Sequence, residues 1–212
     1  MKKSISALIF VAILMMSLCS CKGSSTHDNY KEIYKRYNDM GSFSATAEIT
    51  FNNGQTSASY TVKQLYKAPK SFALTVISPK NSAGFGYSIQ DGNIFIKSES
   101  GQMAEFDITS PKERSSIDIV SFFEEYYKSE ETSVATDNGL SGETTVLSCY
   151  LPHSGEQRFL QKLWIDNKTY LPVKLETYNT KEEAVVTVVY TEFERNCKIE
   201  NINLIDLETN TQ

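Results

Sequence analysis

Phe43-Ser44-Ala45-Thr46-Ala47-Glu48-Ile49-Thr50-Phe51 decides the fold of this chain. Apolar and polar side chains alternate at every position, so one side of the segment faces a core and the other faces water. That period of two belongs to a β-strand on a half-buried sheet. Asn52-Asn53-Gly54 follows at once, residue types that tolerate the positive φ of a tight turn. The return strand runs to about Tyr66, where Ala68-Pro69 breaks it.

The same alternation continues toward the C-terminus. Phe72, Leu74 and Val76 are followed by Phe85, Tyr87 and Ile89, the Asp91-Gly92-Asn93 turn, and strands at 94–97 and 103–108. After Asp137-Asn138-Gly139, read as a polar loop, strands are expected at 144–151, 159–166, 170–178 and 184–193. Ile199, Ile202, Leu204, Ile205 and Leu207 suggest a last short strand. Pro172 falls near the start of its strand, where a missing N–H does least harm. The spacing predicts ten or eleven strands joined by short turns, the opposite of a βαβ layout.

Two segments switch to helical spacing. Tyr30, Ile33, Tyr34 and Tyr37 stand at i, i+3, i+4 and i+7 behind Asp28 as the expected N-cap, with the helix ending near Gly41. Ile119, Val120, Phe123, Tyr126 and Tyr127 cover one broad face of a second helix over 117–127. Two helices are too few to flank a large sheet on both sides. The expected fold is therefore α+β, mainly β: a curved antiparallel half-open β-barrel with both helices against its concave face.

The chain begins with an address. Met1-Lys2-Lys3 is a basic start, and residues 7–18 form an apolar run shorter than the roughly 20 residues a spanning helix needs. Leu18-Cys19-Ser20-Cys21 ends the run and resembles a bacterial lipobox. The resemblance implies cleavage before Cys21 and a diacylglyceryl group on its sulfur. An ordinary secretory signal with a coincidental cysteine is the other reading. Residues 1–20 are thus a lipoprotein signal peptide, 21–27 an acylated tether, and 28–212 a single domain.

Composition narrows the function. Loss of Lys2 and Lys3 with the leader turns the net charge of −5 into −7, which argues against nucleic acid and against charge-driven docking on anionic lipid. Acyl chains would then hold the protein at a membrane, and stable anchoring takes at least two. Cys149 and Cys197 remain. They form a disulfide if their Cα atoms lie within about 7 Å, and are otherwise two half-buried free thiols.

No catalytic constellation is present. His27 and His153 are the two histidines, too few for a zinc cluster, and no metal or cofactor is expected. Gly139-Leu140-Ser141-Gly142 falls short of a nucleophile elbow, and Gly84-Phe85-Gly86 lies within a strand pattern, where glycines permit a bulge or bend. Glu124-Glu125 and Glu130-Glu131 read as a solvated face. Binding remains, rather than an enzyme. Twelve Tyr and eleven Phe suit interfaces as well as cores. Unpaired strand edges invite a partner strand, or pairing and exchange between two copies as a homodimer. Lys63, Lys67 and Lys70 are expected to protect one edge. The β-branched run 184–190 should be an interior strand or an oligomerisation edge.

Leu163-Trp164-Ile165-Asp166-Asn167-Lys168-Thr169-Tyr170-Leu171-Pro172-Val173-Lys174-Leu175-Glu176 resembles a hairpin of the LolA/LolB-like lipoprotein superfamily. That likeness implies an incomplete β-barrel with a helical lid over nearly the whole mature chain. Within the superfamily, the lipobox and size are most similar to the GerS-type clostridial spore-germination lipoproteins. This implies a non-catalytic protein, lipid-anchored to the extracytoplasmic face of a spore membrane, that partners a cortex-modifying N-acetylmuramoyl-L-alanine amidase. The alternative from the wider superfamily is a carrier or sensor of lipid or acyl chains, with an apolar cavity beneath the helices.

Overall fold

The computed structural model describes residues 25–90, 93–107, 117–139, 142–151, 155–156, 158–200 and 202. The leader, Cys21, the Asp91-Gly92 tip, the 111–116 break, Leu140-Ser141, His153 and residues 203–212 lie outside them.

Helix α1 (Thr26–Asn38) starts three residues earlier than the spacing suggested, because Ser25 and not Asp28 is its N-cap. The Ser25 hydroxyl accepts from the Asp28 N–H at 3.2 Å and donates to the Asp28 carboxylate at 2.8 Å. Those contacts, led by the serine hydroxyl, hold the Asp28 carboxyl below its usual range. Strands β1 (Ser42–Asn52), β2 (Ser57–Lys67), β3 (Ser71–Ser78), β4 (Gly86–Gln90), β5 (Asn93–Lys97) and β6 (Met103–Asp107) follow as a meander. Helix α2 (Ile119–Lys128) then leads into β7 (Thr132–Gly139), β8 (Gly142–Tyr150), β9 (Leu160–Asp166), β10 (Pro172–Tyr178) and β11 (Ala184–Arg195).

All eleven strands form one open antiparallel sheet in the order β6-β5-β4-β3-β2-β1-β11-β10-β9-β8-β7. Two meanders run away from a central seam, where β1 pairs with β11 through Phe43↔Arg195 to Phe51↔Val186. The 184–190 run is thus interior. Lys63 and Lys67 also sit on an interior strand, since β2 lies between β1 and β3. The edges are β6 and β7, so those lysines protect neither.

β7 is the strand that its sequence hid. Thr-Ser-Val-Ala-Thr-Asp-Asn-Gly carries no apolar alternation, because this edge strand is exposed at every position except Val134. It pairs with β8 alone, from Thr132↔Cys149 to Gly139↔Gly142. The last expected strand is also corrected as far as it is described. Beyond β11 the chain straps across the outer face, where Ile199 and Ile202 cover Leu65, Ala73 and Phe95. Ser42 Oγ donates to the Cys197 carbonyl at 2.6 Å, and Lys67 Nζ to that of Glu200 at 3.2 Å. Apolar residues on a strap and on a strand have the same local signature.

Because β6 and β7 are opposite edges, the chain between them must cross the whole sheet, and α2 lies on that crossing. Gln64 on β2 reaches the carbonyl of Ile117 just before α2, while the helix itself packs on β8 and β9. Five strand steps separate β2 from β8, roughly 24 Å in a flat sheet at about 4.8 Å each. A ten-residue helix is only about 15 Å long, so the sheet must curl around it. The core lies in that curl. Phe43, Ile49, Phe72, Leu147, Leu163, Leu175 and Val188 from the sheet meet Ile33 of α1 and Ile119 and Phe122 of α2. Each buried Phe, Leu or Ile of this kind contributes about 1.5–3 kcal/mol.

Candidate binding site

The 163–176 hairpin is where α1 docks. Asp166 ends β9, and its Oδ1 accepts from the N–H groups of Lys168 (3.0 Å) and Thr169 (2.7 Å) and the Thr169 hydroxyl (2.8 Å). Burial alone would raise the Asp166 carboxyl, but these donors outweigh it and hold the group below the usual range. The turn delivers Tyr170 in a left-handed backbone conformation, φ 56°. The Tyr37 hydroxyl donates to the Tyr170 carbonyl at 2.8 Å, and the Arg36 guanidinium stacks 4.5 Å from the Tyr170 ring centroid.

α1 and α2 are joined by an aromatic seam. Tyr30, Tyr34 and Tyr37 meet Tyr126, Tyr127 and Phe123 at ring separations of 6.4, 5.5 and 4.9 Å. The i, i+4, i+7 spacing of α1 is what aligns three rungs with one face of α2. The seam is buried at Tyr37 and Phe123 and exposed at Tyr34 and Tyr127. At its base, Asp118 is fully buried as the N-cap of α2, accepting from Ser121 N–H at 2.9 Å and Ser121 Oγ at 2.8 Å.

The helices leave part of the concave face uncovered. Between β1 and β4 lies an apolar cavity of about 500 Å³, walled by Ile49, Phe51, Tyr60, Val62, Leu74 and Tyr87, with Ile117 at the helix side. Its floor is buried and its rim carries Phe51 and Phe85, 44% and 42% exposed. Large rings left open to water around a dry floor are the usual form of a ligand or partner pocket. The cavity lies beside the helices, under the N-terminal half of the sheet. Beside it, Gly86 sets the strand spacing: a Cβ there would stand 2.4 Å from the Leu74 carbonyl oxygen, so only glycine lets β4 approach β3 this closely. Gly84, at φ 85°, and Phe85 continue the pairing with Val76. The Gly-Phe-Gly segment is therefore a strand entry shaped by its glycines.

Cys149 and Cys197 are free thiols, and their placement forbids a bridge. Across the sheet Cys149 is level with Gln161, Thr177 and Val186. β11 then runs from Val186 to Arg195 before Cys197, roughly 30 Å at about 3.3 Å per residue, against the 7 Å a disulfide spans. Burial pushes the Cys149 thiol up to about 12 and raises that of Cys197 as well. Among the described residues no group of three His, Cys, Asp or Glu is placed to hold a metal ion, and no helix is long and apolar enough to cross a membrane. Glu124 and Glu131 are exposed, on the solvated side of α2 and the loop after it. The cavity was not legible in the sequence: its walls are ordinary inward-facing strand residues, and nothing local separates a covered one from an uncovered one.

A curved open antiparallel sheet covered by two helices is the architecture that the LolA/LolB-like resemblance implied. Within it, the chain belongs to the YdcC-like sporulation protein family, whose model matches residues 1–203. Among solved structures, an uncharacterized conserved protein from Thermus thermophilus shares the fold. It is 12% identical at a TM-score of 0.53, over 81% of this chain and 90% of that one. A structure of the CwlD amidase from Clostridioides difficile in complex with the GerS lipoprotein is similar at 26% identity and a TM-score of 0.49. The match covers 82% of this chain and 97% of that one. A LolA superfamily protein from Nitrosomonas europaea is similar at 10% identity and a TM-score of 0.41, over 80% and 94%. No curated protein matches the sequence significantly.

Proposed function

We propose that this chain is a non-catalytic lipoprotein of sporulation and germination, anchored through diacylglyceryl-Cys21 on the extracytoplasmic side of the spore membrane. There it binds and supports a cortex-modifying N-acetylmuramoyl-L-alanine amidase. Membership of the YdcC-like sporulation family carries this reading. The Leu18–Cys21 lipobox suggests the anchor, and the likeness of lipobox and size to GerS-type lipoproteins suggests the partner. The test is co-expression of the full lipoprotein with the amidase of the same organism, followed by co-purification and cortex hydrolysis assays. The two proteins are expected to co-purify and hydrolysis to rise with the lipoprotein present. Hydrolysis unchanged by the lipoprotein, with no co-purification, overturns the proposal.

The cavity supports a second reading, a carrier or sensor of acyl chains, since its volume and dry floor suit an alkyl segment. Native mass spectrometry of the lipoprotein isolated from membranes should then show a bound lipid. Ala58→Trp, which adds bulk at an exposed wall position, should displace it. A ligand-free mass in both proteins counts against this reading. The open edges β6 and β7 likewise leave strand pairing between two copies as a route to a homodimer.

A further inference from the structure

The opposite face of the sheet carries a second concavity, distant from the apolar cavity. It is a hollow of about 580 Å³ on the outer side of β7–β10. Trp164, the chain's one tryptophan, lines one end, and Tyr178 and Tyr150 line the other. The cross-strand rows fix this spacing. Ala135, Val146, Trp164 and Lys174 form one row, Ser133, Ser148, Lys162 and Glu176 the next, and Tyr150, Leu160 and Tyr178 the third. Two rows along the strands are four residues, so the aromatic ends stand roughly 13 Å apart at about 3.3 Å per residue.

The rings are held in place by one connected network. Trp164 Nε1 donates to Asp137 Oδ2 at 3.0 Å, and Lys174 Nζ lies 3.9 Å from the Trp164 ring centroid while pairing with Glu176 at 3.0 Å. Glu176 in turn accepts from the Tyr178 hydroxyl, and Lys162 Nζ lies 5.0 Å from the Tyr178 ring centroid. A ring fixed at its polar atom is preorganised, which lowers the ordering cost of binding. Lys162 and Lys174 are set against Asp137, Glu176 and Glu182, so no strong field of one sign selects a charged ligand. What the hollow offers is an aromatic ring at each end with the Ser133 and Ser148 hydroxyls and the Lys162 ammonium between.

We infer that this outer hollow of β7–β10 is a binding platform for a neutral polyhydroxylated chain, an oligosaccharide. Its C–H faces stack on Trp164 and Tyr178, and its hydroxyls bond to Ser133, Ser148 and Lys162, which line the hollow between them. A peptide strand would instead call for a sheet edge, and this hollow lies on a face. The inference does not rest on the amidase reading, and its test uses no amidase.

Because Trp164 is the one tryptophan, fluorescence of the full lipoprotein in detergent, excited selectively through the indole so that the tyrosines stay silent, reports on this site. Titration with chitotetraose and with cellotetraose is expected to give a saturable change with at least one of them. Tyr178→Ala, and Trp164→Ala followed by calorimetry, should weaken binding by about ten-fold or more. Tyr150→Ala, at a rim position 38% exposed, should weaken it several-fold. Far-UV circular dichroism confirms the fold of each variant. No saturable change with either sugar up to about 10 mM, or undiminished binding in folded Tyr178→Ala and Tyr150→Ala, overturns the inference. A response to chitotetraose alone supports it and adds a preference for N-acetyl groups.

Discussion

Gln64 Nε2 donates a 2.8 Å hydrogen bond to the carbonyl of Ile117, tying the centre of β2 to the chain just ahead of α2. Gln64 is fully buried, and Ile117 is also a wall of the apolar cavity. One bond therefore fixes where the helical cover stops and the open pocket begins.

Gln64→Leu leaves the Ile117 carbonyl unpaired and should destabilise the fold by about 1–2 kcal/mol. Gln64→Glu places a carboxylate against a carbonyl oxygen in a dry site and should cost about 3 kcal/mol or more. Urea denaturation followed by circular dichroism measures both. Equal midpoints for Gln64→Glu and wild type would show that the bond does not hold the helix.

Two glycines separate crowding from backbone strain. Gly86→Ala drives a Cβ to within 2.4 Å of the Leu74 carbonyl oxygen, so β4 must shift, at a cost of about 1–3 kcal/mol. Gly54 stands at φ +86° with nothing within 4 Å of its added Cβ. Gly54→Ala should cost only the left-handed backbone penalty, about 1 kcal/mol. Thermal unfolding should rank Gly86→Ala as the less stable, and a reversed order would show that β4 does not press on β3.

Acid should loosen the α1 docking hairpin through Asp166. Its folded carboxyl lies below the unfolded value of about 4. Its contribution is therefore fully present above that value and lost as pH falls through the lower folded value. Asp166→Ala should be less stable than wild type by about 1 kcal/mol at neutral pH, and the difference should shrink below about pH 4. Stability curves of both proteins from pH 7 to pH 2 test this; a constant gap would assign the effect to packing.

Thiol labelling should distinguish the two cysteines. Cys149 is fully buried with its thiol pushed up to about 12, and Cys197 is part-exposed with a smaller rise. At pH 8 the native protein should label slowly at Cys197 and not at Cys149, and both should react in urea. A non-reducing peptide map showing a Cys149–Cys197 bridge would contradict the sheet register.

Local chemistry made much of the fold readable. The alternation at 43–51 became β1, its Asn-Asn-Gly turn is closed by Asn52 and Asn53 side chains, and the Tyr30–Tyr37 spacing became the face of α1. The failures share one cause. Thr132–Gly139 is a strand because β8 offers it hydrogen bonds, not because its side chains alternate. Ile199 and Ile202 are apolar because they cover Ala73, not because they lie in a sheet.

By itself, the sequence determined the secondary-structure class, the acidic balance, the lipobox-like Leu18–Cys21 stretch and the family likeness, all written in neighbouring residues. The tertiary structure alone decided that β1 pairs with β11, that β6 and β7 are the edges, and that the two cysteines lie far apart. It also decided which inward residues stay uncovered as a cavity and brought Trp164 and Tyr178 to one outer face. Those outcomes follow from pairing segments as much as 152 residues apart, Phe43 with Arg195, where the cost of closure is met by the whole sheet and not by any local pattern.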